Sequence, residues 1–590
     1  MRRPPPRLAR AALCALSSLL STCHPEDANV GGDFRCPEGA EAACFFYDRG
    51  LHAQSLTEQA RLRALFDVET DADPDKAPSI AYPLDETIEP RNLYDLDIQW
   101  RRPRLDQTLF RIRVQSPKLP YGHYDLYTQC FPANGGCHYG VPDNEPNLEW
   151  ATHVVTPLVG SEAVLTVAAS DGKGGPIAVS APVHLSFSWA LVPGGLYYWS
   201  AHPPNAPPGS PDQGTTYRLA LGARSAAPFI RPGQENPNKC EGCHAVSGDG
   251  SKIAFTATDD LDPEGTIKSE QAGSFISKDT TNPSGPPDVP AADKDSAMIA
   301  LDHQGKLAIV GHMAELELRT LRTGEKQAID AALLGDEGHG YFPEFSPDSR
   351  HIVVTLSDHP DSPWAVTTGS IATLDFDPDT ERFSPAKLLV PMTDQEFYFY
   401  PSWSPDNQWI VFAAAPRGLD LSRCLALGDP MLAGCTGCVC DSARCCPPNR
   451  SYDQPNARLK LAHYPDGRVY DLGRATQGVG LSSTLPKFAP LPSDGHHQLF
   501  ITFNSKMPYG VEVPKDSPAQ LWLSVLDLDR LPDDPSGAPV WLPFQNFGQK
   551  NHLAYWTDHV ACRADLIMDQ GCGPDENCRA GECVPNTIVK

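Results

Sequence analysis

A short pattern that recurs along the second half of the chain constrains its fold more than any other feature. Three segments match one another, at 244–255, 343–354 and 401–412. Each has a polar Ser-x-Asp turn followed by an apolar run with β-branched residues, which is the pattern of a β-hairpin. Looser copies cover 298–310 and 486–503. The second half of the chain is therefore predicted to be a series of similar hairpins.

The spacing of these hairpins predicts an architecture. They start near residues 244, 298, 343, 401 and 486, and repeats of roughly 40 to 50 residues with several strands each are typical of propeller blades. The hairpins resemble the repeats of TolB-like (WD40-like) β-propellers over about residues 225–556. The resemblance implies an all-β propeller of roughly six blades at 225–558, in a class that commonly binds proteins. A long insertion at 416–455 interrupts it, and Lys550–Trp556 is expected to close the ring.

A second motif lies at the start of the first hairpin. Cys240 and Cys243 are three positions apart and His244 follows directly, which is the CxxCH pattern of covalent c-type haem attachment. In that chemistry each thiol bonds one vinyl group of the same porphyrin, and the histidine becomes the proximal ligand of the iron. The alternative is a disulfide or a redox-active CxxC pair beside an unrelated histidine. We predict one covalent haem c per chain at Cys240, Cys243 and His244.

The second axial position of the iron decides what such a haem does. A second strong ligand favours electron transfer, whereas an open position permits ligand binding or catalysis. In the alignment of the hairpins, His244 falls where other copies carry Met298, Pro343 and Pro401. Sequence separation does not choose among the candidate distal ligands, which are Met298, Met313, His339, Met507 and His552.

The N-terminus indicates export. Residues 1–23 have the pattern of a signal peptide, with four arginines in the first ten residues and a short apolar run after them. The end of this segment resembles a bacterial lipobox, which implies lipidation of Cys23. Thr22 departs from the usual small residue at its position, and ordinary cleavage is the alternative. No other stretch approaches about 18 apolar residues, so the sequence predicts a lipid-anchored protein of the periplasm or cell surface.

Two regions lie between the signal peptide and the propeller. Residues 24–85 are mixed and polar, and they are predicted to be a linker with one helix over 55–66, where apolar residues recur on one face. Residues 86–224 are predicted to form an immunoglobulin-like or fibronectin type III-like β-sandwich. The segment Gly195–Trp199 and the Tyr-Arg-Leu run at 217–219 resemble the last two strands of such a sandwich.

The 18 cysteines support an oxidising compartment. Outside the processed end and the CxxCH motif they form even local groups, as the disulfide-bonded cysteines of exported domains do. The groups are Cys36 and Cys44; Cys130 and Cys137; six cysteines between Cys424 and Cys446; and Cys562, Cys572, Cys578 and Cys583. Zinc is the alternative for five cysteines of the third group, Cys435, Cys438, Cys440, Cys445 and Cys446. The last group, in 559–590, predicts a small knot that depends on its disulfides.

Charge and missing motifs limit the function. The net charge of −26 makes nucleic acid an unexpected partner, because phosphate binding needs a basic surface. The sequence has no Gly-x-Ser-x-Gly elbow, glycine-rich phosphate loop or His-Glu-x-x-His motif, and no catalytic residue is predicted. We expect a monohaem propeller that serves electron transfer or haem-dependent binding, with a redox or protein partner in the cell envelope. The alternatives are a non-haem interaction scaffold and a haem enzyme with an open distal site.

Overall fold

The computed structural model describes residues 44–47 and 56–585, apart from 94–96, 134, 140–149, 202–213, 224, 232–239, 259–273, 284, 286, 289–297, 313, 336–337, 363–364, 422–423, 428–438, 479–480, 493–496, 513–517, 546, 563–571, 573–575 and 581. Nearly all regular structure in this part is β-strand, which confirms the all-β class. The predicted signal peptide and Cys23 lie outside the described residues. Within the described ranges, no helix has the length and apolar character needed to cross a membrane.

The N-terminal domain is a sandwich of two β-sheets. Its strands are β1 (Cys44–Tyr47), β2 (Ser79–Tyr82), β3 (Thr87–Glu89), β4 (Ile98–Arg101), β5 (Leu109–Gln115), β6 (His123–Gln129), β7 (Phe131–Ala133), β8 (Gly136–Tyr139), β9 (Glu162–Ser170), β10 (Ala178–Val179) and β11 (Val183–Phe187). One sheet has the order β1-β6-β5-β9-β11-β3, with β10 paired to β9, and the other has the order β2-β4-β8-β7. The sheets meet through buried aromatic residues: Trp100 of β4 packs on Phe110 of β5, with ring centroids 5.1 Å apart.

The region predicted as a linker contributes to this sandwich. Strand β1 pairs with β6 and strand β2 pairs with β4. The predicted helix is present as α1 (Leu56–Ala64), and Leu62 packs with Phe66 against Tyr127 and Ile177 of the sheet. The linker interpretation is therefore wrong for these segments, because a few apolar residues are enough to anchor them. Shorter helical turns lie at Pro74–Lys76, Ala151–Val155, Ala331–Leu334 and Leu528–Arg530.

In the described part of the chain, the remaining strands form six blades and two small hairpin sheets. Blade 1 contains β12 (Gly195–Ala201), β13 (Thr215–Ala220), β14 (Ala227–Ile230) and, from the end of the ring, β38 (Lys550–Thr557). Blade 2 contains β15 (Cys240–Val246), β16 (Lys252–Thr258) and β17 (Ser274–Asp279). Blade 3 contains β18 (Met298–Leu301), β19 (Leu307–His312), β20 (Glu315–Thr320) and β21 (Lys326–Ala328).

The other three blades follow the same plan. Blade 4 contains β22 (His339–Phe345), β23 (His351–Ser357), β24 (Ser370–Asp377), β25 (Arg382–Phe383) and β26 (Lys387–Val390). Blade 5 contains β27 (Glu396–Trp403), β28 (Trp409–Pro416), β32 (Arg458–His463) and β33 (Val469–Asp471), and the insertion between β28 and β32 carries β29 (Leu425–Ala426), β30 (Val439–Cys440) and β31 (Arg444–Cys446). Blade 6 contains β34 (Thr484–Phe488), β35 (Gln498–Ser505), β36 (Gln520–Asp527) and β37 (Val540–Trp541).

The last propeller strand closes the ring. The innermost strands β38, β15, β18, β22, β27 and β34 contact one another in that order, and β34 contacts β38 in turn. Six blades and the closing role of Lys550–Trp556 are thus confirmed. The boundary of the sandwich is corrected: Gly195–Ala201 and Thr215–Ala220, predicted as its last strands, form the blade that receives β38. Their alternating apolar pattern suits both folds, and nothing local in it specifies the sheet that they join.

The Ser-x-Asp segments form the hairpin turns of the blades. In blade 5, Ser404 Oγ donates to Asp406 and accepts from the backbone N–H of Trp409. Ser247 in blade 2 and Ser346 in blade 4 make the same pair of hydrogen bonds. The aspartates of this pattern therefore stabilise turns, which is the structural role that the sequence predicts.

The sandwich docks against blade 6. The hydroxyl of Tyr509, in the loop after β35, donates to Asp97 Oδ2 of the sandwich at 3.0 Å. The backbone N–H of Val511 donates to Gln99 Oε1 at 2.8 Å. These two hydrogen bonds join the sandwich to the propeller through the loop that follows β35.

Disulfides are present in each even cysteine group that the structure describes. The pairs are Cys130–Cys137 in the sandwich, Cys424–Cys446 and Cys440–Cys445 in the insertion, and Cys562–Cys578 and Cys572–Cys583 in the tail. The insertion disulfides argue against zinc at their four cysteines, whereas Cys435 and Cys438 lie outside the described residues. The tail forms a hairpin of β39 (Glu576–Arg579) and β40 (Glu582–Pro585), and Glu576 accepts from the backbone N–H of Ala220 at 2.6 Å in blade 1.

Candidate functional site at the propeller axis

Five of the six innermost strands share a local distortion. The register of their pairing shifts within the strand, and one residue at each shift has a left-handed backbone. These residues and their φ angles are Cys243 (47°), Phe342 (50°), Tyr400 (53°), Leu485 (51°) and Leu553 (53°). Residues with side chains rarely adopt this conformation, which costs roughly 1–3 kcal/mol at each position. Its recurrence at equivalent positions of five strands indicates a site that the fold is built to form.

These residues surround one cavity on the propeller axis, which we call the axial pocket. Blades 1, 2, 4, 5 and 6 each contribute one of the five residues to its wall, and blade 3 contributes Met298. The pocket has an empty volume of about 420 Å³, part of which is open to solvent.

The turn hydrogen bonds correct the alignment of the hairpins. The backbone N–H groups of Ser247 and Asp302 make equivalent bonds across their turns. Met298 lies four residues before Asp302, just as Cys243 lies four residues before Ser247. Met298 therefore shares its position with Cys243 and not with His244. The sequence alignment is off by one residue here because the turn of blade 3 lacks the Ser-x-Asp marker.

His244 is buried in the wall of the axial pocket, with 1% of the residue exposed. Its Nε2 lies 3.3 Å from the carbonyl oxygen of Tyr197, to which it donates, and its ring meets the ring of Tyr555 at a centroid distance of 5.5 Å. Burial lowers the pKa of His244 to about 4, so the imidazole is neutral near pH 7. Its Nδ1 is buried and makes no hydrogen bond to any described residue. A buried nitrogen with an unused lone pair is a candidate metal ligand.

A group of polar side chains adjoins the pocket and is called the polar floor: Glu344, Ser402, Lys487 and Tyr555. Each lies two residues after a wall residue on its strand. Glu344 forms an ion pair with Lys487, and its Oε1 accepts from Ser402 Oγ at 2.7 Å. Lys487 Nζ lies 4.5 Å from the centroid of the Tyr555 ring. Burial acts to lower the pKa of Lys487, but Glu344 and Tyr555 outweigh it and keep that pKa raised.

The base of the long insertion is tied to the neighbouring blades beside this site. Ser451 donates its backbone N–H to the carbonyl of Val366 at 2.8 Å, and Val366 donates to Ser451 Oγ at 2.9 Å. Asp453 forms an ion pair with Lys506 at 2.7 Å. Burial raises the pKa of Tyr400 in the pocket wall, and a hydrogen bond with Ser451 opposes the shift. The insertion therefore reaches the edge of the axial pocket.

The predicted site residues are brought together only in part. Cys243, His244 and Met298 line the axial pocket. The other described candidates lie elsewhere: His552 has its Nδ1 against Asn504 at 2.7 Å, Met507 is buried in the core, and His339 begins β22 outside the pocket. Met313 and the side chain of Cys240 lie outside the described residues.

The donor set of the pocket fits a c-type haem. A thiol, a neutral imidazole and a thioether share one cavity, and these groups are the ones that bond the vinyl groups and the iron of such a haem. Two features of the surroundings favour a site without haem. The backbone of Cys240 pairs with Thr258 in an extended strand, and Nε2 of His244 is engaged by Tyr197. The nitrogen that has no partner among the described residues is Nδ1.

The sequence motifs did not identify the polar floor, although a signal for it is present in the sequence. Glu344 and Lys487 interrupt apolar strands at the repeat position where blades 2 and 3 have Ala245 and Ala300. A charged residue at a position that is otherwise small and apolar indicates a specific partner, because burying an unpaired charge is unfavourable.

No protein-family model matches the chain, and no curated protein matches it. Among solved structures, TolB from Acinetobacter baumannii is similar at 11% identity and a TM-score of 0.37, covering 67% of this chain and 79% of that chain. An auxiliary nutrient binding protein from Bacteroides thetaiotaomicron is similar at 10% identity and a TM-score of 0.29, covering 73% of this chain and 96% of that chain. An oligogalacturonate lyase in complex with manganese is similar at 11% identity and a TM-score of 0.27, covering 55% and 81%. Likenesses at this level say nothing about what the chain binds.

Proposed function

We propose that this chain is an exported c-type haem protein whose propeller holds one haem at its axis. The observation that carries the proposal is that Cys243, His244 and Met298, three residues with the chemistry of haem attachment and iron ligation, line the same pocket. Cys240 precedes Cys243 at the spacing that covalent attachment requires. The haem, when bound, supplies one-electron chemistry at its iron.

The residues of the chain have separate roles in this proposal. Cys240 and Cys243 hold the porphyrin covalently. His244 is the proximal ligand, since burial keeps its imidazole neutral and a neutral imidazole is the form that binds a metal. Met298 is the distal ligand among the five candidates, because it alone of the described four lines the pocket. A histidine–methionine pair favours electron transfer over catalysis.

The setting proposed for this haem is the cell envelope. The signal-like segment and Cys23 support export and lipid anchoring, and the disulfides support an oxidising compartment. The partner is a redox or other protein of the envelope. The base of the insertion, at the edge of the axial pocket, is the part of the surface through which such a partner reaches the site.

The proposal is tested by single substitutions in a host that matures c-type cytochromes. Cys240→Ser and Cys243→Ser should each weaken covalent retention of haem, measured as colour that stays with the denatured chain. His244→Ala and Met298→Ala should retain covalent haem and change its absorption spectrum. Cys130→Ser with Cys137→Ser, which removes a disulfide remote from the pocket, is the control and should leave haem content unchanged. Full haem retention without Cys240 and Cys243 would end the proposal.

A non-haem interaction scaffold is the second candidate, and two observations favour it. His244 already satisfies Nε2 through the Tyr197 carbonyl, and the strand that contains the motif pairs with its neighbour from Cys240 to Gly242. If the purified chain has no Soret band, this candidate replaces the first. Binding of carbon monoxide by the native reduced form would instead favour a haem enzyme with an open distal position.

A further inference from the structure

The ion pair of the polar floor is a feature that the propeller itself does not need. Blades 2 and 3 form the same innermost strands with Ala245 and Ala300 at the positions of Glu344 and Lys487. A buried ion pair adds little net stability over apolar residues of similar volume, because desolvation offsets the attraction of the charges. The pair is therefore best understood through the pocket that it adjoins.

The two charges of this pair are not equivalent when seen from the pocket. Lys487 lines the axial pocket, whereas Glu344 does not. Glu344 is held back from the pocket by Ser402 Oγ and by the backbone N–H of Trp403, at 2.7 and 2.9 Å. The member of the ion pair that faces the pocket is therefore the positively charged Lys487.

The ammonium group of Lys487 also has donor capacity left for an occupant. It carries three N–H donors, and its contacts with the described residues are the Glu344 carboxylate and the ring face and hydroxyl of Tyr555, which leaves one donor for an occupant. Other walls of the pocket are apolar or neutral, among them Leu485 and Leu553. A charge-assisted hydrogen bond in such surroundings is roughly twice as strong as a neutral one.

We propose that the axial pocket selects occupants that carry a carboxylate, and that Lys487 recognises the carboxylate. The carboxylate is either a propionate of an attached haem or part of a free ligand. The inference uses the same pocket as the proposed haem and does not depend on haem being present, so its test is carried out on haem-free protein.

The test measures the charge preference of the pocket through the thiol of Cys243. The full chain with Cys240→Ser is exported in a host that does not mature c-type cytochromes. Its reaction rate is measured with dithiobis(nitrobenzoate), which carries two carboxylates, and with dithiodipyridine, which is neutral. Both reagents form a mixed disulfide with Cys243 and release one thiol-derived product, and Cys243→Ser identifies the signal of that residue. The same thiolate attacks both reagents and the leaving groups do not change between variants, so a change in the ratio of the two rates between variants isolates the effect of the pocket's charge on the anionic reagent.

The proposal predicts how the ratio of the anionic to the neutral reaction rate depends on the charges of the polar floor. Lys487→Met should lower the ratio of anionic to neutral rates several-fold, Lys487→Arg should keep it, and Glu344→Gln should raise it. Lys387→Met, which removes a lysine that pairs with Asp375 and does not line the axial pocket, is the matched control and should leave the ratio unchanged. An unaltered ratio in Lys487→Met would overturn the proposal. Should that variant fail to fold, as judged by its circular dichroism, the absence of a rise in Glu344→Gln would overturn it equally.

Added benzoate distinguishes the two sources of the carboxylate. If benzoate slows the neutral reagent in the parent chain and not in Lys487→Met, the pocket takes a free carboxylate. If the charge preference is present and benzoate has no effect, the pocket does not take this free carboxylate, and the propionate of an attached haem is the source that remains. Failure of the haem proposal appears as a missing Soret band and leaves this rate ratio untouched.

Discussion

The imidazole of His244 meets the ring of Tyr555 edge to face, with centroids 5.5 Å apart. His244 belongs to the first hairpin of the repeat series and Tyr555 to β38, the strand that closes the ring. The candidate haem ligand thus contacts the last propeller strand, and the strand that closes the ring also completes the wall of the axial pocket.

This contact predicts that Tyr555 stabilises both the closure and the site. Tyr555→Ala should lower the free energy of unfolding by about 3–5 kcal/mol, since it removes an aromatic ring that packs on His244 and Lys487. Tyr555→Phe keeps the ring and loses the hydrogen bonds of the hydroxyl to the Ile299 carbonyl at 3.4 Å and to Lys487, each worth about 0.5–1.5 kcal/mol. Urea unfolding of both variants measures the difference. Equal losses in the two variants would contradict the role given to the ring.

The hairpin turns predict a smaller, local effect. Asp406 accepts hydrogen bonds from Ser404 Oγ and from the backbone N–H of Gln408, so Asp406→Ala should lower the free energy of unfolding by about 1–2 kcal/mol. The exposed Asp533 outside such a turn is the matched control, and Asp533→Ala should change stability by less than about 0.5 kcal/mol. Thermal unfolding monitored by circular dichroism would reveal both changes. A stability loss confined to the control would be inconsistent with the capping role.

A histidine–aspartate pair in the sandwich, beside its contact with blade 6, predicts that the stability of the fold depends on pH. His138 Nδ1 lies 3.3 Å from Asp97 Oδ1, and this hydrogen bond raises the pKa of His138 above its ordinary value, against the opposing effect of burial. The folded state therefore favours protonated His138. Its contribution to stability is complete below the unfolded-state pKa of about 6.5 and is lost as pH rises through the raised folded-state pKa.

Comparison with His138→Gln measures this contribution. The urea midpoint of the wild-type chain should exceed that of the variant at pH below about 6.5, and the difference should shrink as pH rises. Parallel pH profiles for the two proteins would show that His138 does not link pH to stability.

The C-terminal knot predicts local unfolding on loss of a disulfide. The Cys572–Cys583 bond closes a loop with a sequence separation of 11, and a loop of this size is stabilised by about 2–4 kcal/mol. Cys572→Ser with Cys583→Ser should make the tail a site of rapid proteolysis and leave the propeller resistant. Cys130→Ser with Cys137→Ser is the control, and it should not expose the tail. Mass spectrometry of the cleaved chain locates the cut, and an unchanged rate of tail cleavage would refute the prediction.

The repeated hairpins allowed much of the fold to be predicted from the sequence. A Ser-x-Asp turn is a local signal, because its hydrogen bonds join residues within a few positions of one another. The propeller and its blade number followed from the repetition of that signal, and the closing strand was predicted from its place after the last repeat. Strands without such a marker were harder to place: Gly195–Ala201 has a clear strand pattern, but its partner β38 lies at the far end of the propeller.

Only the residues of the candidate site that are adjacent in sequence could be predicted together. Cys243 and His244 are adjacent in sequence, so a motif could identify them. Met298 was one of five candidate ligands until the ring of blades brought it to the wall that Cys243 occupies. Glu344 and Lys487 come from different blades, and their meeting depends on closure of the whole ring rather than on any neighbouring residues.

The absorption spectrum of the full chain tests the central claim most directly. The protein is purified from a host that matures c-type cytochromes, and spectra are recorded in the oxidised and dithionite-reduced forms. The account predicts a Soret band, a sharp α-band on reduction, and colour that stays with the protein after acid-acetone extraction. A featureless spectrum from such a host would contradict the account and leave an axial pocket that binds something other than haem.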